Sequence, residues 1–296
     1  MSKPGTTAEC SPYFSIVLPV YNRPRRVARA IESVLAQSFG DYELVVVDDG
    51  STDETPSVLA GYSDRVRIFT IENCGPGQAR NRGLEESCGK YVVFLDSDDI
   101  FQPWMLEVYH VILSSDESIK ILGAKKRFLN DLPRTSVDCC AYENIFDAVR
   151  RDDIEFMVPT ATAVRRDVLA RSGGFIRKRM GGEDLDLWLR MAREPGFRYL
   201  LDPPVFSKEK HEGNLNRNGP VMLKGLFTIV LRDLCFRYRA GGYAQEKTRM
   251  IWKALSHYSQ EFSRTNQPLL RLLLIAIMGL FVLRNPISVR YAWNND

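Results

Sequence analysis

The sequence has no Cys-x-x-Cys pair, and none of its three histidines, His110, His211 and His257, lies near a cysteine at zinc-ligand spacing. Neither a structural zinc nor a disulfide framework is indicated, and the six cysteines are expected as reduced thiols. So few and scattered histidines also nominate no Ser-His-Asp triad. The first apolar run is followed by Pro19-Val20-Tyr21-Asn22-Arg23 and not by a Gly-x-Gly-x-x-Gly turn, which counts against a Rossmann dinucleotide site. No Gly-x-x-x-x-Gly-Lys-Ser/Thr element occurs, which counts against a P-loop kinase or ATPase. Met1 to Pro12 holds no apolar stretch of signal-peptide length, so residues 1–12 are expected as a loose tail on a cytoplasmic body. Neither charge sign dominates: 40 basic residues against 37 acidic ones do not advertise a nucleic-acid partner.

What is present is ordinary globular composition, with 45% hydrophobic residues in a chain of 296. Short β-rich runs alternate with helical patterns: Phe14 to Val20, an amphipathic stretch to Gln37, Tyr42 to Asp49, a second helix, Val66 to Glu72, a helix to Cys88, and Tyr91 to Leu95. This rhythm predicts an α/β fold with a parallel sheet covered on both faces. Val27, Ala30, Ile31, Val34 and Leu35 form the stripe of one covering helix. After Pro103 come a helix to about Leu113, a strand-like Lys120 to Phe128, a helix near Glu143 to Arg150, and a strand over Thr160 to Val164. A helix over Glu183 to Arg193 follows, its stripe Leu185, Trp188, Leu189 and Ala192, and then a strand over Phe197 to Leu201. From about Asn218 the chain is helical and basic, with 12 Lys and Arg against 4 Asp and Glu over residues 217–296.

Acidic residues cluster at Asp48-Asp49-Gly50-Ser51-Thr52-Asp53, Asp96-Ser97-Asp98-Asp99 and Glu183-Asp184. The first two follow apolar strands, and the carboxyl ends of parallel strands form the ligand crevice of an open α/β sheet. Carboxylates gathered there repel unless a divalent cation with oxygen ligands separates them, and Mg²⁺ or Mn²⁺ in such a site draws in substrate phosphates. Turn and capping roles compete with this reading. Asp53 is read as a cap for the following helix, whereas three carboxylates in Asp96 to Asp99 exceed what a cap needs. Glu183 and Asp184 sit in a first helical turn, where acidic residues are favoured in any protein.

Val17-Leu18-Pro19-Val20-Tyr21-Asn22, Asp48 to Asp53, Asp96 to Asp99 and Gly182-Glu183-Asp184-Leu185-Asp186-Leu187-Trp188-Leu189-Arg190, in this order and spacing, resemble the family 2 inverting glycosyltransferases of GT-A fold. The resemblance covers roughly Phe14 to Asn218. It implies a Rossmann-like, mainly parallel sheet flanked by helices, with the transferase domain over residues 13–217, a donor half to about residue 115, and a basic helical extension over 218–296. It also implies a nucleotide-diphosphate-sugar donor, commonly a UDP-sugar, and Mn²⁺ or Mg²⁺. On it, Pro19, Tyr21 and Asn22 line the nucleotide pocket, and Asp49, with Asp48 beside it, accepts a hydrogen bond from the base. Asp98 is the direct metal ligand, Asp96 reaches toward the ribose or donor sugar, and Asp99 is a supporting charge. Arg80 and Asn81 lie near the donor, with an ordinary helix-surface charge as the alternative for Arg80, and Asp184 is the catalytic base, with Glu183 as the competing candidate. His211 sits near the metal and diphosphate, with a purely structural role as its alternative.

The implied activity is sugar transfer to a saccharide or lipid-linked saccharide in surface polysaccharide, lipopolysaccharide or glycoconjugate assembly. Two rivals remain. One is a sugar-phosphate nucleotidyltransferase, whose Gly-rich basic loop Pro19 to Arg23 does not supply; the other is a catalytically silent nucleotide-sugar-binding or scaffold protein. Leu272 to Leu283 is an unbroken apolar run between Arg271 and Arg284, about 18 Å long as a helix and short of a ~30 Å hydrocarbon core. With the basic tail and Trp252, Tyr258 and Trp293, it fits a segment lying on an anionic cytoplasmic leaflet, and equally a buried helix or dimer contact.

Overall fold

The computed structural model describes residues 11–125, 137–154, 157–178, 180–208, 219–235, 242–264 and 267–284. The first half follows the expected rhythm: β1 (Phe14–Val20), α1 (Pro24–Leu35), β2 (Tyr42–Asp48), α2 (Thr55–Ala60), β3 (Arg67–Thr70), α3 (Pro76–Glu86) and β4 (Tyr91–Phe94). The strands run parallel in the order β3-β2-β1-β4, with Phe14 opposite both Tyr42 and Tyr91. Residues just past β1, β2 and β4 are thereby brought to one edge of the sheet. Every residue of β1 is buried, as both-face coverage demands. Phe14, Ile16 and Leu18 pack with Val27, Ile31 and Val34 of α1, while Val17 faces the opposite core with Phe94 and Trp188. Gly83 lets α3 lie close on this second face, since a Cβ there would collide with Val17.

The second half comprises β5 (Asp99–Phe101), α4 (Met105–Ser115), β6 (Ile121–Ala124), β7 (Asp138–Tyr142), α5 (Ile145–Arg150), β8 (Ala163–Arg165), α6 (Arg166–Ser172), α7 (Glu183–Met191), β9 (Phe197–Asp202) and β10 (Phe206–Lys208). The large sheet continues β4-β8-β6-β9-β7, and β5 pairs with β10 in a separate ribbon. Four pairings of the large sheet are parallel and three, made by β8 and β7, antiparallel. The expected strand over Thr160 to Val164 is a single bridge at Thr160 followed by β8.

The extension is three helices, α8 (Gly219–Leu234), α9 (Ala244–Arg264) and α10 (Pro268–Arg284). They share one apolar cluster with Leu185 and Leu189 of α7. Trp252, expected at an interface, is instead buried in that cluster, because its place on α9 falls on the same side as Ile251 and Leu255. Trp293 lies outside the described residues. No described helix is long and apolar enough to cross a membrane.

Candidate active site

Beyond β4 the chain turns through Asp96, Asp98 and Asp99, and one carboxylate oxygen of each lies within 4.8 Å of the others. Three hard oxygen donors this close match the preferences of Mg²⁺ or Mn²⁺. Asp98 is buried and pairs with Nη1 of Arg23 at 3.1 Å; the same nitrogen donates to Ser97 Oγ at 3.4 Å. Sequence reasoning stopped at Asn22 and missed Arg23. Its signal was its place, a cation just past the first strand at the carboxylate-bearing edge.

Arg80 is no surface charge. Only 5% exposed, it donates through Nη2 to Asp96 at 2.7 Å and through Nη1 to Glu183 at 2.8 Å, with its guanidinium 5.3 Å from the centre of the Phe175 ring. Burial works against its charge, but Asp96 and Glu183 together hold its pKa above the ordinary value. A planar fork with several fixed donors can serve two carboxylates at once. Arg80 thereby couples the end of β4 to the start of α7.

Helix α7 begins after Gly182, whose φ of 71° lies in the left-handed region. Asp184 Oδ1 accepts the Leu185 N–H at 2.8 Å, and the side chain is partly exposed. The protein atoms packed around it, and then the charge of Glu183, push its carboxyl up to about 6, while the Leu185 N–H and Arg80 pull the other way. A carboxyl poised there changes charge near neutral pH, as a general base requires. The helix beneath it is anchored on several sides. Leu187 and Trp188 enter the sheet core, Trp188 Nε1 donates to the Met157 carbonyl at 3.1 Å, and Leu185 and Leu189 pack on the extension. Asp186, fully buried, pairs with Arg190 at 2.9 Å and with Arg232 of α8 at 3.0 Å.

At the nucleotide end, Pro19, Tyr21 and Asp49 line the cavity. Asp49 accepts the Cys74 and Gly75 N–H groups, one on each oxygen, both at 2.8 Å. Asp48, Asn22 and Asn81 stand behind the wall. Asp48 Oδ1 accepts the Ser51 N–H at 3.0 Å, and Asp53 accepts the Thr55 N–H at 2.9 Å in a tight turn, while the cap position of α2 falls to Glu54 and not to Asp53 as expected. Asn22, at φ 50°, donates its N–H to Ser51 Oγ and accepts the Thr52 N–H, tying the two strand-end loops together. Asn81 grips the Phe175 backbone both ways, donating to its carbonyl at 2.9 Å and accepting its N–H at 2.7 Å. His211 lies outside the described residues.

The cavity joining these groups measures about 800 Å³, within the range of small-molecule sites. Asp49, Asp96, Asp98, Glu183 and Asp184 stand on it with Arg23 and Arg80. One further part of the wall was not expected: Met222 and Leu226 of α8, and Lys253, Ser256, His257 and Gln260 of α9, together with Tyr258, which was expected at an interface and instead lines the cavity. Lys253, Ser256, His257 and Gln260 recur at helical spacing, a polar face opposite the buried Ile251 and Leu255. That periodicity was the available sequence signal.

A sequence model described as "Glycosyl transferase family 2" matches residues 15–173. A Rickettsia prowazekii protein called an uncharacterized glycosyltransferase is 30% identical over 260 residues, covering 79% of this chain and 82% of that protein. Other matches are local: the chain spans 16% of the length of a Rickettsia felis relative, 43% identical over 96 residues. Among solved structures, S. aureus TarS 1-349 in complex with UDP-GlcNAc superposes with a TM-score of 0.66 at 21% identity, over 91% of this chain and 80% of that one. The mannosyltransferase PcManGT of Pyrobaculum calidifontis, in complex with GDP-Man and Mn²⁺, superposes with a TM-score of 0.57 at 19% identity, over 98% and 86%. The expected GT-A fold, a mainly parallel sheet between helices with a helical C-terminal region, is thus present.

Proposed function

The chain belongs to glycosyl transferase family 2, and from that premise we propose that it transfers a sugar from a nucleotide-diphosphate-sugar to an acceptor hydroxyl with inversion at the anomeric carbon. One observation carries the reading: the carboxylates past β4 and the first turn of α7 converge on a single cavity of about 800 Å³, coupled through Arg80. Asp98 and Asp96, with Asp99 in support, would hold Mn²⁺ or Mg²⁺, a fit supported by their clustered oxygens. When bound, such an ion supplies positive charge that offsets the charge of the departing diphosphate. Pro19, Tyr21 and Asp49 would receive the nucleotide, while Asp48, Asn22 and Asn81 hold the loops that present them. His211 keeps a place near the diphosphate on resemblance alone.

An acceptor hydroxyl titrates far above neutral pH and needs a base as it attacks. Asp184 takes that proton as the new bond to the anomeric carbon forms and the bond to the diphosphate oxygen breaks. Attack from the face opposite the leaving group, in one displacement, inverts the centre. The donor is a UDP-sugar, a choice supported by the ligand of the TarS complex. The acceptor is a saccharide or lipid-linked saccharide in surface-polysaccharide, lipopolysaccharide or glycoconjugate assembly. Residues 13–217 form the transferase body, and the wall contributed by α8 and α9 makes these helices part of the same working unit.

Calorimetry with UDP, with and without EDTA, and nucleoside-diphosphate release from a panel of UDP- and GDP-sugars test the proposal together. UDP should bind with metal and far more weakly after chelation, and one donor should be turned over. Equal affinity with EDTA would remove the metal; tight binding without turnover of any donor, acceptor extracts included, would leave a silent binding protein.

A further inference from the structure

Leu274, Ile277 and Phe281 of α10 are buried against α8 and α9, but the other side of the helix is bare. Leu269 is 68% exposed, Leu272 63%, Leu273 47% and Ile275 46%. Helix α8 begins beside α10, with Gly219 packed on Gln267 and Leu270. On its outer side Lys224, Phe227 and Leu231 are exposed at intervals of three and four residues. Of nine large hydrophobic side chains exposed among the described residues, six lie on these two helices. Singly exposed leucines need no explanation, but a contiguous group marks an interaction face.

The charge around this face indicates the partner. Neither α10 nor the outer side of α8 carries a carboxylate, and the exposed Lys224 and Arg271 are set among the apolar side chains. A second copy meeting the same face would bring cation against cation. An anionic lipid surface would bring the complement, with room for the leucines among its acyl chains. At 17 residues, α10 is about 25 Å long, so it fits lying in the interface and not across a ~30 Å core.

We propose that the outer faces of α8 and α10 dock on an anionic bilayer surface. The inner side of α8 supplies Met222 and Leu226 to the cavity, so the docked bilayer lies about one helix diameter, ~10 Å, from that wall. Given the transfer reading, which the docking itself does not need, this selects a lipid-linked acceptor over a free saccharide.

The test is flotation of the full chain with vesicles of phosphatidylglycerol and phosphatidylcholine, against vesicles of phosphatidylcholine alone. The protein should float with the anionic vesicles and bind the neutral ones about tenfold less. It should be released at 1 M salt, where the Debye length falls to about 3 Å. Leu272→Glu with Ile275→Glu should abolish flotation while leaving the melting temperature and UDP affinity unchanged. Lys224→Glu, which disturbs no apolar packing, should weaken anionic binding alone and keeps the test valid if the double variant misfolds. Equal, salt-insensitive binding to neutral vesicles overturns the proposal, as does flotation of the double variant. So does a wild-type dimer in sedimentation that never floats and that the double variant breaks, which would assign the face to a second copy. UDP affinity and donor turnover are read separately, so failure of the transfer reading leaves the flotation result intact.

Discussion

Two adjacent carboxylates open α7, and their surroundings give them different tasks. Glu183 is held by Arg80 at 2.8 Å, whereas Asp184 engages only its neighbour's N–H among the bonds described for it and is pushed up to about 6. Asp184→Asn keeps the size and loses the proposed base, so transfer should fall ~10²-fold or more with donor affinity kept; steady-state rates beside UDP calorimetry check this. Loss of donor binding in that variant would make the residue structural. On the proposed role the deprotonated form is the active one, so the rate should rise with pH through about 6 and level off above it, and the rising limb should vanish in Asp184→Asn. Arg80→Ala removes the buried cation that Asp96 and Glu183 share, and breaking such a buried pair costs roughly 3–5 kcal/mol. Thermal melts should show it as an earlier transition than that of the unsubstituted protein. The acidic clusters were legible in the sequence because strand ends and turn chemistry mark them. The pairing of Arg80 with Glu183, 103 positions away, was not, since no local pattern reports a contact that only the tertiary fold creates. Arg23 was hidden for the same reason.

The elements from β1 to β4 were readable because buried parallel strands are continuous apolar runs and α1 has a clean stripe. β5 and β10, three residues each, and β7, reading Asp-Cys-Cys-Ala-Tyr, are too short or too irregular in polarity to show a period. The seven residues of α6 were likewise unmarked. The way α8 meets α7 was equally invisible: a Cβ on Gly225 would collide with the Gly181 carbonyl oxygen, and Gly181 N–H donates to the Val221 carbonyl at 3.2 Å. Glycine at 225 therefore lets a helix backbone rest on the turn that aims Asp184. Gly225→Ala should force α8 outward, with about 1–3 kcal/mol of destabilisation as in other overpacked sites. It should also lower turnover more than UDP affinity, which thermal melts and calorimetry separate. Asn81→Ala should cost a comparable ~1–3 kcal/mol by leaving the Phe175 N–H and carbonyl without their partner, visible as an earlier melting transition.

At the scale of the whole molecule, the extension is a wall of the site and not an appendage. It closes the cavity with α9, grips α7 through Asp186 and Arg232, and buries Leu274, Ile277 and Phe281 within itself. Removing α10 outright should therefore lower stability and impair transfer together, unlike charge substitutions on its outer side. A truncation at residue 266 that melts and turns over like the full chain would contradict this. The Arg80 bridge also sets an order in time. A ribosome adding about 5–20 residues per second releases Asp96 and its neighbours several seconds before Glu183 and Asp184 exist, and later still come the helices that hold them. Until then Arg80 has only Asp96 to bind. The strands that carry Asp49 and Asp96 can pair early in synthesis, yet the proposed proton acceptor, Asp184, leaves the ribosome only 88 residues after Asp96.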